Sequence, residues 1–421
     1  MTAPLADPEL PAVATLLGAG VSELAARWLG ARGGALRDLR RERVLYRPGR
    51  SISVVFAAAV AWDGPGGEAD ERLVAAAGPG SEGPDMWLYP IDPGLPALAR
   101  LADDGFVEVL AARAGLPDAP LELSDRAYRP LRRATVELAA VEERLVFSRR
   151  PARVAPVTAR TAAYLKALRP GHVEPVRRRL ALLGQSLPVP ACLVADEDLG
   201  MLVVEERPGR TLQRALRDGD GPPPAPERLI ELLDAVARTG APLLGGGARP
   251  RTTAERIQGP VRLLKAVLPE QAWRLERLAE AFGDDAAEPV VVTHDDFHPS
   301  QLLVDDDGEV VGLLDVDGAG PGRRVDDLAS MLGRVWTSGA EGGRGSERFA
   351  AYAERLYRSF AAVAGPRELS RQTAAVVLGR ATGPFRAQQH DWRARSLGRL
   401  ELAERWLGAV GTGTPPARAP A

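Results

Sequence analysis

The sequence predicts an α+β protein with a β-rich N-terminal part and a mostly helical C-terminal part. Short runs with the length and composition of strands recur before residue 211, for example at residues 44–62 and 201–205. After residue 211, apolar residues recur with the period of an α-helix. Between residues 290 and 320, two strand-like runs each end in acidic residues. These three observations predict a β-rich part, a helical part and a polar site within the helical part.

The first region, residues 1–124, contains a helical opening, a strand pair within residues 44–62 and a proline-rich stretch, LYPIDPGLPALARL. It contains none of the expected catalytic residues. Its sequence YRPGR at residues 46–50 is echoed by YRPLR at residues 128–132, and alternating residues typical of strands follow both. The two copies indicate either a short internal repeat or two strands that begin alike by convergence.

The second region, residues 125–210, is predicted to hold a small sheet. Lys166 lies in AAYLKALRP, which has strand composition, and residues 173–183 are predicted to be helical. Only two of the 54 basic residues are lysines, and the other, Lys265, lies on an amphipathic helix pattern and is predicted to be solvated. Because an ammonium and a guanidinium are not interchangeable at a crowded phosphate, Lys166 is informative. The alternative is that Lys166 is an edge-strand residue whose charge reaches solvent.

The third region, residues 211–410, is predicted to be mostly helical, and a tail at residues 411–421 is predicted to be disordered. Glycines 240, 283, 365 and 411 are predicted to end helices. The predicted helices cover residues 228–239, 272–282, 326–336, 347–364 and 392–410.

Two acidic sites frame a predicted hairpin in this region. Strands are predicted at residues 290–293, 302–304 and 310–314, and the turn Asp-Asp-Asp-Gly at residues 305–308 joins the last two. Asp296 and Asp315 then face each other across a cleft. Phosphoryl transfer requires a carboxylate to orient the attacking hydroxyl, oxygen ligands for magnesium and a cation for the nucleotide phosphates. This segment supplies the carboxylate and the oxygen ligands.

The segments HDDFHPSQ and LDVDG, followed by DDLA at residues 326–329, resemble the aminoglycoside phosphotransferase and choline kinase-like family. The signature of that family is HGDxHxxN followed by IDxxD. The resemblance implies a bilobal protein-kinase-like fold, with a small β-rich lobe and a helical C-terminal lobe. It also implies that Asp296 is the catalytic base, that His294 braces the loop, and that Asp315, Gln301 and Asp317 hold magnesium.

Two positions depart from the family pattern. Gln301 replaces the asparagine of the family, and its amide oxygen is the same hard donor on a side chain one methylene longer. The related maltokinase branch also carries glutamine there, and its N-terminal cap suggests that residues 1–124 form a cap packed on the small lobe. Asp295 replaces the loop glycine and either repels the nucleotide or attracts a cationic substrate.

The resemblance also implies how the nucleotide binds. Family members often show a strand ending in V-K-x-x-R-P, then a helix and P-V-P, an order that residues 164–190 follow. Lys166 would therefore bind the inner phosphates of ATP, with Glu174 as its ion-pair partner. Residues 202–212 match the hinge pattern L-x-x-E-x-x-P-G-x-x-L of the family, where adenine binds to the backbone, and Glu206 and Arg207 lie within this stretch.

The acceptor pocket is the part about which the sequence says least. Asp295, Asp317, Asp326 and Asp327 would form an acidic pocket suited to an amino sugar, or would bind magnesium or cap the helix near residue 326; capping is favoured for the last two. His298 would orient the loop or touch the acceptor. Core packing is the favoured role for most of four residues that would otherwise form a sugar-stacking face: Trp336, Phe385, His390 and Trp392.

Composition excludes other classes of protein. The formal net charge is −2 and the basic residues are interspersed with acids, which argues against nucleic-acid binding. No membrane span or secretory signal is evident, and the single Cys192 favours the cytoplasm. The sequence thus predicts an ATP- and Mg²⁺-dependent kinase that phosphorylates a hydroxyl of a sugar, amino sugar or aminoglycoside-like acceptor. A catalytically impaired pseudokinase is the alternative, and the oligomeric state stays open.

Overall fold

The structure is a computed structural model. It describes residues 5–63, 67–149, 152–245, 249–283, 285 and 288–417, and for residues 143–149 and 152–159 the backbone only. The fourteen strands within these ranges are β1 (Gly34–Arg47), β2 (Ser51–Trp62), β3 (Glu68–Ala77), β4 (Asp85–Leu88), β5 (Leu121–Arg129), β6 (Arg133–Arg149), β7 (Ala152–Leu168), β8 (Cys192–Asp196), β9 (Met201–Glu205), β10 (Arg210–Thr211), β11 (Val290–Thr293), β12 (Leu302–Val304), β13 (Val310–Leu313) and β14 (Gly320–Arg323).

The α-helices precede, separate and follow these strands. Those in the described ranges are α1 (Ala12–Leu17), α2 (Val21–Gly30), α3 (Pro96–Arg100), α4 (Asp104–Arg113), α5 (Val173–Leu183), α6 (Leu212–Asp218), α7 (Pro226–Gly240), α8 (Thr253–Val267), α9 (Ala272–Glu280), α10 (Arg324–Ala340), α11 (Ser346–Ala364), α12 (Pro366–Arg380), α13 (Gly383–Arg386) and α14 (Trp392–Thr412). None of the helices in the described ranges is long and apolar enough to cross a membrane.

The cap sheet is antiparallel, with the order β1-β2-β3-β4. Alternate residues of β2 are buried, as the period of a strand requires. Val54 and Phe56 pack with α1 and α2, while Val55 packs with α3 and α4. The β1–β2 ribbon also contacts α8 and α13 of the helical lobe through β1. The cap therefore touches both lobes.

The small lobe has a five-stranded sheet with the order β5-β6-β7-β9-β8. In β7, Ala163, Leu165 and Ala167 are buried against α3 and α4. Because side chains alternate across a strand, Lys166 lies on the opposite face, toward α5 and the helical lobe. The sequence boundary at residue 124 falls inside β5, because the strand begins at Leu121.

The cap sheet and the small-lobe sheet repeat one design. The turns after Tyr46 and Tyr128 each place a residue with positive φ at the same position, Gly49 at 70° and Leu131 at 60°. An aspartate that precedes a short helix buttresses each turn. Asp7 accepts hydrogen bonds from the Tyr46 hydroxyl at 2.7 Å and Gly49 N at 2.8 Å.

Asp92 makes the matching contacts in the second copy. It accepts hydrogen bonds from the Tyr128 hydroxyl at 2.7 Å and Leu131 N at 2.9 Å. The two aspartates begin the sequences DPELP and DPGLP. A shared turn, a shared buttress and a shared sequence favour the internal repeat over convergence.

The helical lobe packs around α10, α11, α12 and α14. The predicted helices appear with small shifts at their ends. Gly365 ends α11 with a φ of 77°, as predicted, whereas α14 continues past Gly411 and ends at Gly413. The predicted disorder of the tail is wrong for residues 411 and 412, which are helical, and residues 418–421 lie outside the described part. Helix α12 has no counterpart among the predicted elements.

Candidate active site

The predicted catalytic loop lies between β11 and β12. His294 is fully buried, and its Nε2 donates to the Leu314 carbonyl at 2.8 Å. Its Nδ1 then accepts from Asp296 N at 3.3 Å, which fixes one tautomer. His294 therefore links the loop to the residue that follows β13. These contacts suit the bracing role predicted for it.

Asp327 holds the same loop from α10. Its two carboxylate oxygens accept from His294 N at 2.7 Å and Asp295 N at 3.1 Å. Burial raises the pKa of Asp327 to about 7, against the effect of the hydrogen bond from His294. The helix-cap prediction is wrong for Asp327. It holds for Asp326, which accepts from Arg323 N at 3.1 Å at the start of α10.

Asp295 occupies the position of the family's glycine with a φ of 67°. Aspartate is among the few residues that adopt this left-handed conformation readily, so the turn is kept without glycine. Its carboxylate pairs with Arg251 at 3.0 Å. The side chain is thereby partly neutralised.

Asp296, the predicted base, has a half-exposed carboxylate beside two basic groups. Arg334 donates to it at 2.6 Å, and His298 Nε2 lies 3.6 Å away. Burial opposes its ionisation, but the contact with His298 and the charge of Arg334 outweigh burial and hold the pKa of Asp296 well below its usual range. Asp296 is therefore ionised at neutral pH.

Asp315, the predicted metal ligand, lies after β13 in a left-handed conformation with a φ of 54°. Lys166 Nζ is 3.7 Å from it, and Arg133 is 3.4 Å from it. Burial raises the pKa of Asp315, but the charges of Lys166 and Arg133 lower it by more, so the net shift is downward. The Gln301 amide lies 3.4 Å from the same carboxylate, so the two predicted metal ligands are neighbours.

Lys166 meets the second acid of the LDVDG segment. Its ammonium donates to Asp317 at 2.6 Å. The predicted Glu174 partnership is wrong, because Glu174 is exposed on the first turn of α5 and pairs with Arg177 at 2.6 Å. The side chains of Asp315, Asp317 and Lys166 thus converge on one site between the lobes.

The predicted hinge contributes little side-chain chemistry in this state. Glu206 is exposed. Arg207 turns toward the sheets and donates to Glu205 at 3.2 Å and to the Val311 carbonyl at 3.2 Å. The nucleotide role of both residues stays a prediction.

Most of the four candidate stacking residues pack against other aromatic side chains, which suits the favoured core-packing role. Trp336 packs on Trp406 with ring centroids 4.9 Å apart, and Phe385 packs on Trp392 at 5.1 Å. His390 is exposed. Neither of these two ring contacts forms an open stacking face. Lys265, which was predicted to be solvated, pairs with Glu276 at the surface. Cys192 is half-buried.

Two residues of the site escaped the sequence analysis. Arg133 follows the YRPLR turn, and Arg334 lies two helical turns after Asp326 on α10. The signal for Arg133 is its place at the strand start, paired with Leu168 near Lys166. In a chain this rich in arginine, nothing in the sequence distinguishes Arg334.

A cavity of about 420 Å³ opens beside Asp295 and Arg334, between α8, α10, α12 and α13. Six arginines and two aspartates line it. Of the four aspartates predicted to form an acidic acceptor pocket, only Asp295 and Asp326 line this cavity, where arginines outnumber them. Both lining aspartates, Asp295 and Asp326, pair with arginines at 3.0 Å or less.

Comparisons with known proteins identify the family that part of the chain matches. Residues 171–363 match the model of a family described as the phosphotransferase enzyme family. The resemblance expected from HDDFHPSQ and LDVDG is thereby confirmed, whereas the maltokinase branch stays a prediction. No curated protein sequence matches the chain.

Solved structures with similar folds come from several phosphotransferases. The choline kinase of Cryptosporidium parvum is 10% identical, with a TM-score of 0.48 over 74% of this chain and 97% of that chain. A macrolide 2′-phosphotransferase type I is 19% identical, with a TM-score of 0.42 over 71% and 97%. A choline/ethanolamine kinase family protein of Mesorhizobium loti is 16% identical, with a TM-score of 0.43 over 73% and 99%.

Proposed function

With residues 171–363 assigned to the phosphotransferase enzyme family, we propose that this chain is an ATP-dependent kinase that phosphorylates a hydroxyl of a small molecule. One observation carries the proposal. Lys166 of the small lobe lies 2.6 Å from Asp317 and 3.7 Å from Asp315 of the helical lobe. The cation for the phosphates and the oxygen ligands for magnesium thus share one site.

Asp296 has the properties of the proton acceptor. In the proposed reaction the acceptor oxygen attacks the γ-phosphorus, the bond from that phosphorus to the β,γ-bridging oxygen breaks, and ADP leaves. The hydroxyl proton passes to Asp296 and then to solvent. Because Asp296 is ionised, it can orient the hydroxyl at neutral pH. Arg334 must move aside for this contact, since it occupies the carboxylate.

The residues near Asp315 suit Mg²⁺, which prefers hard oxygen donors and keeps waters and phosphate oxygens in its shell. Asp315, Asp317 and the Gln301 amide supply such oxygens. No group of three or more His, Cys, Asp or Glu within the described ranges could hold a metal, and the proposed set is two carboxylates with the Gln301 amide. Bound Mg²⁺ would neutralise charge that develops on the phosphates.

The cavity beside Asp295 is the proposed acceptor site. Its volume of about 420 Å³ suits a molecule the size of a sugar. An alcohol placed there would reach Asp296 past Arg334, which lines the cavity and contacts the base. The acceptor class is therefore a sugar-sized alcohol.

The substitution Asp296→Asn tests the proposal. We expect acceptor-stimulated ADP release to fall by about 10³-fold or more, while ADP affinity in the presence of Mg²⁺ changes little, because only the hydroxyl loses its partner. The measurement is coupled ADP release after a screen of alcohols identifies an acceptor. Asp307→Asn, in the exposed turn between β12 and β13, is the matched control. Equal loss of ADP binding would count against the role of Asp296.

A specific observation favours a second candidate function, that of a pseudokinase. Basic side chains already occupy Asp315 and Asp317. An inert binding module would not require a metal at these carboxylates. Titration of ATP and GTP with and without Mg²⁺ separates the two readings, since a kinase needs the metal for tight binding and turns ATP over.

A further inference from the structure

The charge of the acceptor cavity is the feature that the proposed function leaves unexplained. Asp295 and Asp326 are the only acids that line the cavity in the described part of the chain, against six arginines. The ion pairs of Arg251 and Arg256 involve those two acids. Arg334 pairs with Asp296 at 2.6 Å, and Arg399 pairs with Glu341.

Two lining arginines remain after this pairing. Arg380 at the end of α12 and Arg386 at the end of α13 form no salt bridge with a carboxylate and no side-chain hydrogen bond among the described residues. The Nε atoms of Arg380 and Arg334 are both buried without a hydrogen-bond partner. Because a buried unpartnered donor is costly, the arrangement indicates a missing acceptor of hydrogen bonds.

The neighbours of these two arginines increase the positive charge. Burial, followed by the charges of Arg334 and Arg399, lowers the pKa of Arg380 to about 9. Burial, followed by the charges of Arg129 and Arg47, lowers the pKa of Arg386. Arg129 belongs to the small-lobe hairpin and Arg47 to the cap hairpin. Arginines of the cap and of the small lobe thus add to the positive charge that acts on Arg386, and Glu341 and Asp296 offset the charge around Arg380 only in part.

The phosphates of ATP would bind outside this cavity, at Lys166 and Arg133. Lys166 and Arg133 lie against Asp315 and Asp317, and none of these four residues lines the cavity. The cavity and the base are instead linked by Arg334. An oxyanion in the cavity would thus lie about one arginine side chain from the hydroxyl that Asp296 orients.

Resting on the proposed function, we infer that the acceptor is an anionic alcohol, whose hydroxyl lies at Asp296 and whose phosphate or carboxylate group binds Arg380 and Arg386. Arginine suits this role because its planar fork binds both kinds of oxyanion through two parallel hydrogen bonds. An ammonium group, as in an amino sugar, would instead meet uncompensated positive charge. This inference replaces the cationic acceptor that the acidic loop suggested.

Calorimetric titration tests the inference on the full chain saturated with ADP and Mg²⁺, so that the nucleotide site is filled. The probes are inorganic phosphate, glucose 6-phosphate, glucuronate, glucose and glucosamine. We expect at least one anionic sugar to bind about tenfold more tightly than glucose or more, and glucosamine to bind no better than glucose. The phosphate and carboxylate probes separate the two sources of the oxyanion.

Variants locate the binding. Arg380→Gln and Arg386→Gln should each weaken binding of the anionic sugar by about tenfold or more, and Arg380→Lys should weaken it less, since it keeps the charge. Arg358→Gln, an exposed arginine on α11 that forms no ion pair within the described ranges, is the matched control and should leave affinity unchanged. Unfolding midpoints confirm that each variant folds.

The inference is overturned if no anion binds at millimolar concentration, if both glutamine variants bind like the parent, or if glucosamine binds best. Inorganic phosphate that binds as tightly as any sugar anion also overturns it, because the site would then recognise no alcohol. Failure of the proposed function is visible separately, as loss of Mg²⁺-dependent ADP binding. The same titrations without nucleotide then still test the anion site.

Discussion

The cap sheet and the small-lobe sheet share a frame and differ in the residues that carry charge. When the two sheets are aligned on their turns, Ser51 of the cap takes the position of Arg133 in the small lobe, because each residue begins the strand after its turn. In the next strand, Ala76 pairs with Ser53 as Lys166 pairs with Thr135. The cap copy therefore has serine and alanine at the positions of the two cations. Both sheets share the same frame. In the proposed function, binding of the nucleotide phosphates therefore depends on the side chains at these two positions.

The largest expected effect comes from making the small lobe resemble the cap. Lys166→Ala introduces the cap's residue, and we expect kcat/KM for ATP to fall by about 10²-fold or more, because a cation on the phosphates is lost. Lys265→Ala, which removes the only other lysine, is the control. Steady-state kinetics and ADP titration measure the effect. Unchanged nucleotide use would show that the difference between the two copies has no catalytic meaning.

A smaller effect should distinguish the two buttresses. Asp92→Asn and Asp7→Asn remove equivalent charges, and each should cost about 1–2 kcal/mol of unfolding free energy through weakened hydrogen bonds. Only Asp92→Asn should also raise KM for ATP several-fold, because the turn it holds leads into Arg133 beside Asp315. Chemical denaturation and ATP kinetics on both variants measure the difference. Equal KM values would contradict a nucleotide role for the small-lobe turn.

The smallest effect concerns acid and the cap. Burial opposes ionisation of Asp7, but hydrogen bonds from Gly49 N and the Tyr46 hydroxyl hold its pKa below the usual value. A lowered folded-state pKa adds stability above the unfolded pKa, near 4, and that stability is lost as the pH falls through the folded value. Below about pH 4 the parent should lose up to about 1 kcal/mol more than Asp7→Asn. Denaturant titrations at pH 6 and at about pH 3 compare the two, and parallel losses would refute the assignment.

Local patterns predicted much of the frame. The helix at residues 173–183 and the strand at residues 201–205 appear with the predicted ends, because their apolar residues follow one period and turn residues flank them. Helix α12 was missed because polar residues are buried with its apolar ones. Ser370, Arg371, Gln372 and Thr373 are all buried, so no amphipathic period is visible.

The site was less accessible to sequence reasoning for an electrostatic reason. Asp295 and Asp296 are adjacent in sequence, whereas the arginines that pair with them come from the loop before α8 and from α10. Counting the four aspartates of this segment without their partners predicted an acidic pocket, whereas arginines outnumber acids in the cavity beside Asp295. Glu174 was misassigned for a similar reason, since a residue three positions along α5 satisfies it locally.

The contact between Arg334 and Asp296 has a consequence for the idle enzyme. A carboxylate already held by a guanidinium is poorly placed to align a water molecule for attack on ATP. In the proposed reaction, futile hydrolysis would therefore stay low until an acceptor enters the cavity that Arg334 lines and its hydroxyl takes the place of Arg334 at the base. The same arginine would then act as an internal checkpoint that couples arrival of the acceptor to nucleotide consumption.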